Sequence, residues 1–168
     1  MDIPGIMIPI PFFAEPLIIR CIVTDYTGTL SCGGKLVPGV EDRLRRLKEL
    51  VEIHVISADS FGTASGQLAA IPLRPYILEQ GKRHDIEKQE YLKKEELDPS
   101  RVAAFGNGNN DVLLLETVRK AGGLAIAVDN GEGGSVQAIQ NANLFIINIV
   151  NALDLLLEPT RCKATLRK

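Results

Sequence analysis

Two hydrophobic periods take turns along this chain, and their order predicts its architecture. Apolar, Ile- and Val-rich runs stand at 17–24, Val51 to Ile56, Arg101 to Phe105, Leu124 to Val128 and Leu144 to Ile147. Short unbroken runs of this kind, bounded by turn residues, read as buried strands. A weaker run at 73–78 carries proline at its edge and reads as a further strand. Residues 3–10 pair with 17–24 through a proline-containing connection as an N-terminal β-hairpin, and the second of these segments ends at Asp25. Between the strands the period lengthens. Pro38-Gly39 opens a helix to Leu50 whose Val40, Leu44, Leu47 and Leu50 share one face. A short helix over 62–70 follows, then a charged amphipathic one from Asp85 to Leu97, ended by Asp98-Pro99. Val112 to Lys120, Gly134 to Gln140 and a stretch running to about Leu157 complete the set.

Strands alternating with helices across short loops predict an α/β domain of three layers with a mostly parallel central sheet. One domain spans 1–168, with the hairpin in 1–18. The last residues, 158–168, form a basic tail (Arg161, Lys163, Arg167, Lys168), solvated, helical or part of an interface. No cap domain is visible, because Ser31 to Val37 and Phe61 to Arg74 leave no room for a folded lid. Ligands of such sheets bind outside the carboxyl ends of the strands. Asp25, Ser57 and the loop starting at Gly106 all fall at strand ends, so three separate stretches bring polar groups to one edge.

Composition narrows the class. The 168 residues are 45% apolar and 24% charged, enough for a core that needs no disulfide or metal staple. A formal charge of −2 gives no broad footprint for nucleic acid or an anionic membrane. Cys21, Cys32 and Cys162 lack a CxxC pair and read as free thiols of a reducing, cytoplasmic compartment. His54 and His84 are too scattered for a zinc site. Met1 to Ile19 is apolar but has no basic start and is broken by four prolines, unlike a signal peptide. No run approaches the roughly 18 apolar residues of a membrane span. The hairpin has no obvious helix to bury it, which makes it a candidate contact for homo-oligomers.

The candidate chemistry starts at Ile22-Val23-Thr24-Asp25-Tyr26-Thr27-Gly28-Thr29-Leu30. An apolar run delivers a carboxylate to a strand end, and a glycine turn sets backbone N–H groups beside it. A phosphoryl group could be attacked and held there. Asp25 could equally be a strand-end turn former, and Ser57 a strand-end cap. Lys88 is one of several helix lysines, with Lys82 a fallback. Asp111 offers hard oxygen to Mg²⁺, or complements a helix N-terminus.

Together these stretches resemble a known family. Asp25-Tyr26-Thr27-Gly28-Thr29-Leu30 resembles the first motif of the haloacid dehalogenase superfamily of phosphoryl-transfer enzymes. It reads most like the Asp-Lys-Thr-Gly-Thr of the P-type ATPase phosphorylation domain. Ser57, Lys88 and Gly106-Asn107-Gly108-Asn109-Asn110-Asp111 are similar to the second, third and fourth motifs, in order, over about residues 18–150. The resemblance implies a Rossmann-like fold and a stand-alone, soluble, Mg²⁺-dependent phosphohydrolase or phosphotransferase. In that reading Asp25 is the nucleophile that forms an aspartyl-phosphate. The Thr27 carbonyl, Asn107 and Asp111 join Asp25 at Mg²⁺. The amides of Gly28 and Thr29, with Ser57, Ala58, Lys88 and Asn110, hold the phosphoryl group.

Two positions depart from the pattern. Most phosphatases of the superfamily carry an acid where this chain has Thr27, and the ATPase motif carries aspartate where it has Asn107. Without a carboxylic acid at 27, leaving-group protonation and hydrolysis of the intermediate should be slow. The substrate, a phosphate-containing small molecule or a phosphorylated macromolecule, should then be activated, as ATP and acyl-phosphates are. The alternative is a weakly catalytic or non-catalytic phosphate- and Mg²⁺-binding module that regulates a protein partner.

Overall fold

The structure, a computed structural model, describes residues 3–168, so residues 1 and 2 of the N-terminal segment lie outside the described residues. In chain order the strands are β1 (Ile6–Ile8), β2 (Leu17–Ile19), β3 (Cys21–Asp25), β4 (Ser31–Cys32), β5 (Lys35–Leu36), β6 (Glu52–Ser57), β7 (Tyr76–Ile77), β8 (Val102–Gly106), β9 (Leu124–Asp129) and β10 (Leu144–Ile147). The helices are α1 (Val40–Lys48), α2 (Ala64–Leu68), α3 (His84–Lys94), α4 (Val112–Ala121), α5 (Val136–Gln140), α6 (Ile149–Leu157) and α7 (Pro159–Leu166). The main sheet has the order β10-β9-β8-β3-β6-β7, with parallel pairing throughout.

Alternation along the strands builds the two core layers. Ile22 of β3 joins the layer with Leu44 and Leu47 of α1 and Leu153 and Leu156 of α6. Val23, the next residue, joins the opposite layer with Leu92 of α3 and Leu114 and Val118 of α4. Successive side chains of a strand point to opposite faces. A strand apolar at both parities therefore needs helices on both sides, which is why β3 and β8 are buried along their whole length. α1 fits its place locally: Glu41 and Asp42 lie in its first turn and Arg45, Arg46 and Lys48 in its last, each sign complementing the helix dipole. Among the described residues no helix is long and apolar enough to cross a membrane.

Three expectations change. The single strand over 17–24 is split at Arg20, which is exposed. β2 pairs antiparallel with β1, while β3 enters the main sheet. The Arg20 guanidinium turns back to donate to the carbonyls of Ile3 (2.8 Å) and Pro4 (3.0 Å) instead of entering the core. Of the readings open for 158–168 the helical one is found: the segment folds into α7, opened by Pro159 at a helix N-terminus, where its missing N–H costs nothing. α7 packs on β1, and its Cys162 shares a core layer with Ile6, Ile8 and Ile10. The hairpin therefore has its covering helix, and the reason for reading it as a subunit contact falls away. Lastly, the loop over Ser31 to Val37 contains the small β4–β5 hairpin, which turns on Gly33 and Gly34 at φ 59° and 79°.

Candidate active site

Parallel pairing sets the strand ends side by side. Asp25 stands opposite Ile56 in register, so Ser57 lies one residue beyond it on the neighbouring strand. On the other side Thr24 is opposite Phe105, which brings Gly106 level with Asp25. α3 packs beside the Asn109–Asp111 turn and lays Lys88 across this edge. Asp25, Ser57, Lys88 and Asp111 are all buried, Lys88 and Asp111 completely.

Lys88 is the hub. Its Nζ donates to Asp25 Oδ1 at 2.8 Å and to Asp111 Oδ1 at 2.6 Å. The other Asp111 oxygen, Oδ2, accepts the N–H groups of Asn107 (2.9 Å) and Gly108 (3.0 Å). The other Asp25 oxygen, Oδ2, has the Thr29 hydroxyl at 3.3 Å, and that hydroxyl is also 3.3 Å from Asn107 Oδ1. With one proton to give, Thr29 serves one of the two at a time.

One ammonium against two carboxylates leaves an excess negative charge in a buried place. Burial, reinforced by the Asp111 charge, pushes the Asp25 carboxyl up to about 7, although Lys88 pulls it down. For Lys88, burial alone lowers the pKa, but the carboxylates of Asp111 and Asp25 outweigh it, so the ammonium is held above its ordinary range. Among the described residues no cluster of three or more His, Cys, Asp or Glu forms a metal site. The donors here are two carboxylates, the Asn107 amide oxygen and nearby backbone carbonyls. An all-oxygen set with net negative charge suits Mg²⁺, which keeps several of its waters.

Ser57 Oγ accepts the Asp59 N–H at 2.8 Å, which leaves its proton free to be donated. Ala58 follows it, half-buried. Asp59 in turn accepts from the N–H groups of Thr63 and Ala64, both at 3.0 Å, and so starts α2. Two glycines are required by close approach. A Cβ on Gly28, whose φ is +75°, would lie 2.5 Å from Asn107 Nδ2, and one on Gly106 would lie 2.4 Å from Asp111 Cβ.

Some candidates take other places. The Thr29 N–H, expected to face the phosphoryl oxygens, donates instead to the Tyr26 carbonyl at 3.2 Å, because the tight turn needs it there. Thr29 enters the site through its hydroxyl. Asn110 folds back over its own turn, so that a Cβ on Gly108 would lie 2.9 Å from its Oδ1. It makes no side-chain hydrogen bond to Asp25 or Lys88 among the described residues. Thr27 Oγ1 is buried with no hydrogen-bond partner among them. Tyr26, which stands where the ATPase motif has lysine, is fully buried and donates to the Gly34 carbonyl at 2.8 Å, so it is a core residue. Asn130 is a site residue the sequence did not mark. Its Nδ2 reaches the carbonyls of Gly28 (3.3 Å) and Thr29 (2.5 Å). As Asn130-Gly131 it reads only as a turn dipeptide.

No protein-family model matches the chain. An uncharacterized protein of Methanocaldococcus jannaschii, MJ0073, is 44% identical to it over 78 residues, covering 46% of this chain and 78% of that protein. The chain belongs to the same family. A second uncharacterized protein of that organism, MJ0072, is 46% identical over 39 residues, or 23% of this chain and 89% of its own length. Among solved structures, 3-deoxy-D-manno-octulosonate 8-phosphate phosphatase from Moraxella catarrhalis, in complex with magnesium, phosphate and a KDO molecule, matches with a TM-score of 0.66. Its identity is 16%, with coverage of 89% of this chain and 94% of that one. The cobalt-bound phosphatase of the same type from Haemophilus influenzae gives 0.65 at 13% identity, with the same coverage. A haloacid dehalogenase-like hydrolase from Streptococcus pneumoniae gives 0.57 at 13% identity, over 81% of this chain and 97% of that one. The chain has the fold of the haloacid dehalogenase superfamily hydrolases; its likeness to P-type ATPases is carried by the motifs alone.

Proposed function

We propose that the chain is a Mg²⁺-dependent phosphohydrolase or phosphotransferase that works through a phosphoryl group on Asp25. The observation that carries this reading is the fully buried Lys88 bridging Asp25 and Asp111. A lysine buried without a task would cost several kcal/mol in desolvation, and this one lies where charge develops in phosphoryl transfer.

The chemistry follows atom by atom. Lys88 occupies Oδ1 of Asp25, which leaves Oδ2 to attack phosphorus while the bond to the leaving oxygen breaks. Ser57, accepting from the Asp59 amide, donates its hydroxyl proton to a non-bridging phosphoryl oxygen. The ammonium of Lys88 offsets charge on both the carboxylate and the transferred group. Asp25, the Thr27 carbonyl, Asn107 and Asp111 would hold Mg²⁺, Asp111 directly or through water. When bound, that ion supplies further charge neutralisation for the phosphoryl oxygens.

Thr27 sets the substrate class. No carboxylic acid stands there to protonate a leaving group, so good leaving groups are favoured, and acyl-phosphates and nucleoside triphosphates have them. The same lack leaves water unactivated, so phospho-Asp25 should form faster than it clears. The missing acid also favours a second reading, a phosphate- and Mg²⁺-binding regulatory module. The convergence of Lys88 and Asp111 on Asp25 supports the enzyme over that module. Mass spectrometry after incubation with Mg²⁺ and acetyl phosphate or ATP tests it. Phosphate on Asp25, absent in Asp25→Asn, is expected. No phosphoenzyme from any activated donor, and no trapping of beryllium fluoride, would sink the catalytic claim.

A further inference from the structure

Asn130 lies just past β9, about a hundred positions from the nucleophile turn in sequence and in contact with it in space. Its Nδ2 donates to the carbonyls of Gly28 and Thr29, at 3.3 and 2.5 Å. Its Oδ1 accepts the Ile149 N–H, at 2.8 Å, in the first turn of α6. We infer that Asn130 is the positioning residue of the nucleophile turn, fixing its peptide planes against the start of α6. This inference rests on Asp25 being the phosphoryl acceptor.

The amide has no freedom to turn over. Flipped, its NH₂ would face the Ile149 N–H and its oxygen would face two carbonyls, three wrong pairings in place of three bonds. The helix start therefore orients the amide, and the amide orients the turn. In a planar trans peptide the N–H points opposite to the C=O. Holding the Gly28 carbonyl at Asn130 sends the Thr29 N–H the other way, where it meets the Tyr26 carbonyl at 3.2 Å. The same NH₂ holds the Thr29 carbonyl, so the backbone of Thr29 is pinned on both sides. That pinning puts its hydroxyl 3.3 Å from both Asp25 Oδ2 and Asn107 Oδ1. It also draws two carbonyl oxygens away from the nucleophile. Released, either oxygen could swing toward the phosphoryl group and repel it.

Asparagine is the side chain that meets both needs. The substitution Asn130→Asp would keep the Ile149 bond but turn a charged oxygen on two carbonyls, and Asn130→Ala would drop all three bonds. The experiment measures phosphorylation of Asp25 by acetyl phosphate in Mg²⁺, by rapid quench, for the wild type and these two variants. At saturating donor the rate constant should fall by about 10–100-fold in both variants, since misplacement near 1 Å costs about that much. The burst amplitude should stay at the wild-type level, and half-saturation should move by less than about twofold. A merely structural role would do the reverse, lowering the amplitude through loss of folded protein and sparing the rate constant. That result, or wild-type rates in Asn130→Ala, overturns the assignment. If Asn130→Asp fails to fold, Asn130→Ala, which adds no charge, decides alone. A wild type that never forms a phosphoenzyme refutes the proposed function and this inference with it; a phosphorylated wild type with unaltered variants refutes only the role of Asn130.

Discussion

Replacing Lys88 by methionine keeps the length and apolar stem of the side chain and removes its charge. Lys88 is completely buried and lies 2.8 and 2.6 Å from two carboxylates that are themselves buried. Breaking a buried ion pair from one side typically costs about 3–5 kcal/mol, mostly for the charge left behind. Here two are left. The variant can escape part of that cost by taking up protons, and the direction follows from the signs. Burial already pushes the Asp25 carboxyl up to about 7 with the ammonium present, and without it Asp25 rises further. A carboxyl whose folded pKa lies above its unfolded value, about 3.9, adds stability in full below that value. It loses the contribution as pH climbs through the folded pKa. Each extra proton the variant keeps is worth about 1.4 kcal/mol per pH unit. The wild-type Asp25 itself takes up protons over this range, so the penalty should be about 3–5 kcal/mol at pH 8 and smaller by about 1–2 kcal/mol at pH 6. Urea denaturation of both proteins in EDTA at pH 6, 7 and 8 reads this directly. A penalty under about 1 kcal/mol at pH 8, or one that does not change with pH, refutes the view that Lys88 holds two buried charges together.

Three further outcomes are expected. Thr27→Asp supplies the absent acid and should speed decay of phospho-Asp25 by as much as about 10²–10⁴-fold, seen as loss of phosphoenzyme with time; an unchanged decay rate rules out Thr27 as the bottleneck. Gly28→Ala puts a Cβ 2.5 Å from Asn107 Nδ2 at φ +75°, and should cost about 1–2 kcal/mol from the backbone alone while weakening Mg²⁺ binding by calorimetry; wild-type values in both would disprove the close approach. Thiol titration with a chromogenic disulfide at pH 8 should find Cys32 fast and the others slow. Cys21 and Cys162 are buried, and burial pushes their thiols up to about 12 and 11, so a fast second thiol in folded protein contradicts the packing of β3, if it is Cys21, or of α7, if it is Cys162.

How much of this was legible in the sequence depended on distance along the chain. Asp25, Ser57 and Gly106 end apolar runs, and such runs declare themselves over five or six residues, so the shared sheet edge followed from local pattern. Lys88 was recognisable from its place in a helix ahead of β8. What it binds followed only from the family resemblance. The features that escaped reading need partners far away or competing bonds. Nothing near Arg20 says that its side chain will turn back to the Ile3 and Pro4 carbonyls and end one strand. The Thr29 amide was assigned to the ligand because the turn's own demand for it, through the Tyr26 carbonyl, is invisible until the backbone is built. Asn130 and the cover that α7 gives to β1 are contacts between distant stretches, and composition carries no trace of either.

The packing of α7 on β1 also sets an order of events in synthesis. Ile6, Ile8 and Ile10 leave the ribosome well ahead of the helix that covers them, which brings Cys162 to its core more than a hundred residues later. Contacts of such long sequence separation form late and slowly, and domains generally assemble as they are made. For most of translation this hairpin is an uncovered apolar ribbon with unpaired edges, of the kind that recruits chaperones or other nascent chains. Ribosome-bound chains truncated before residue 159 should carry it exposed, and the emergence of α7 closes it.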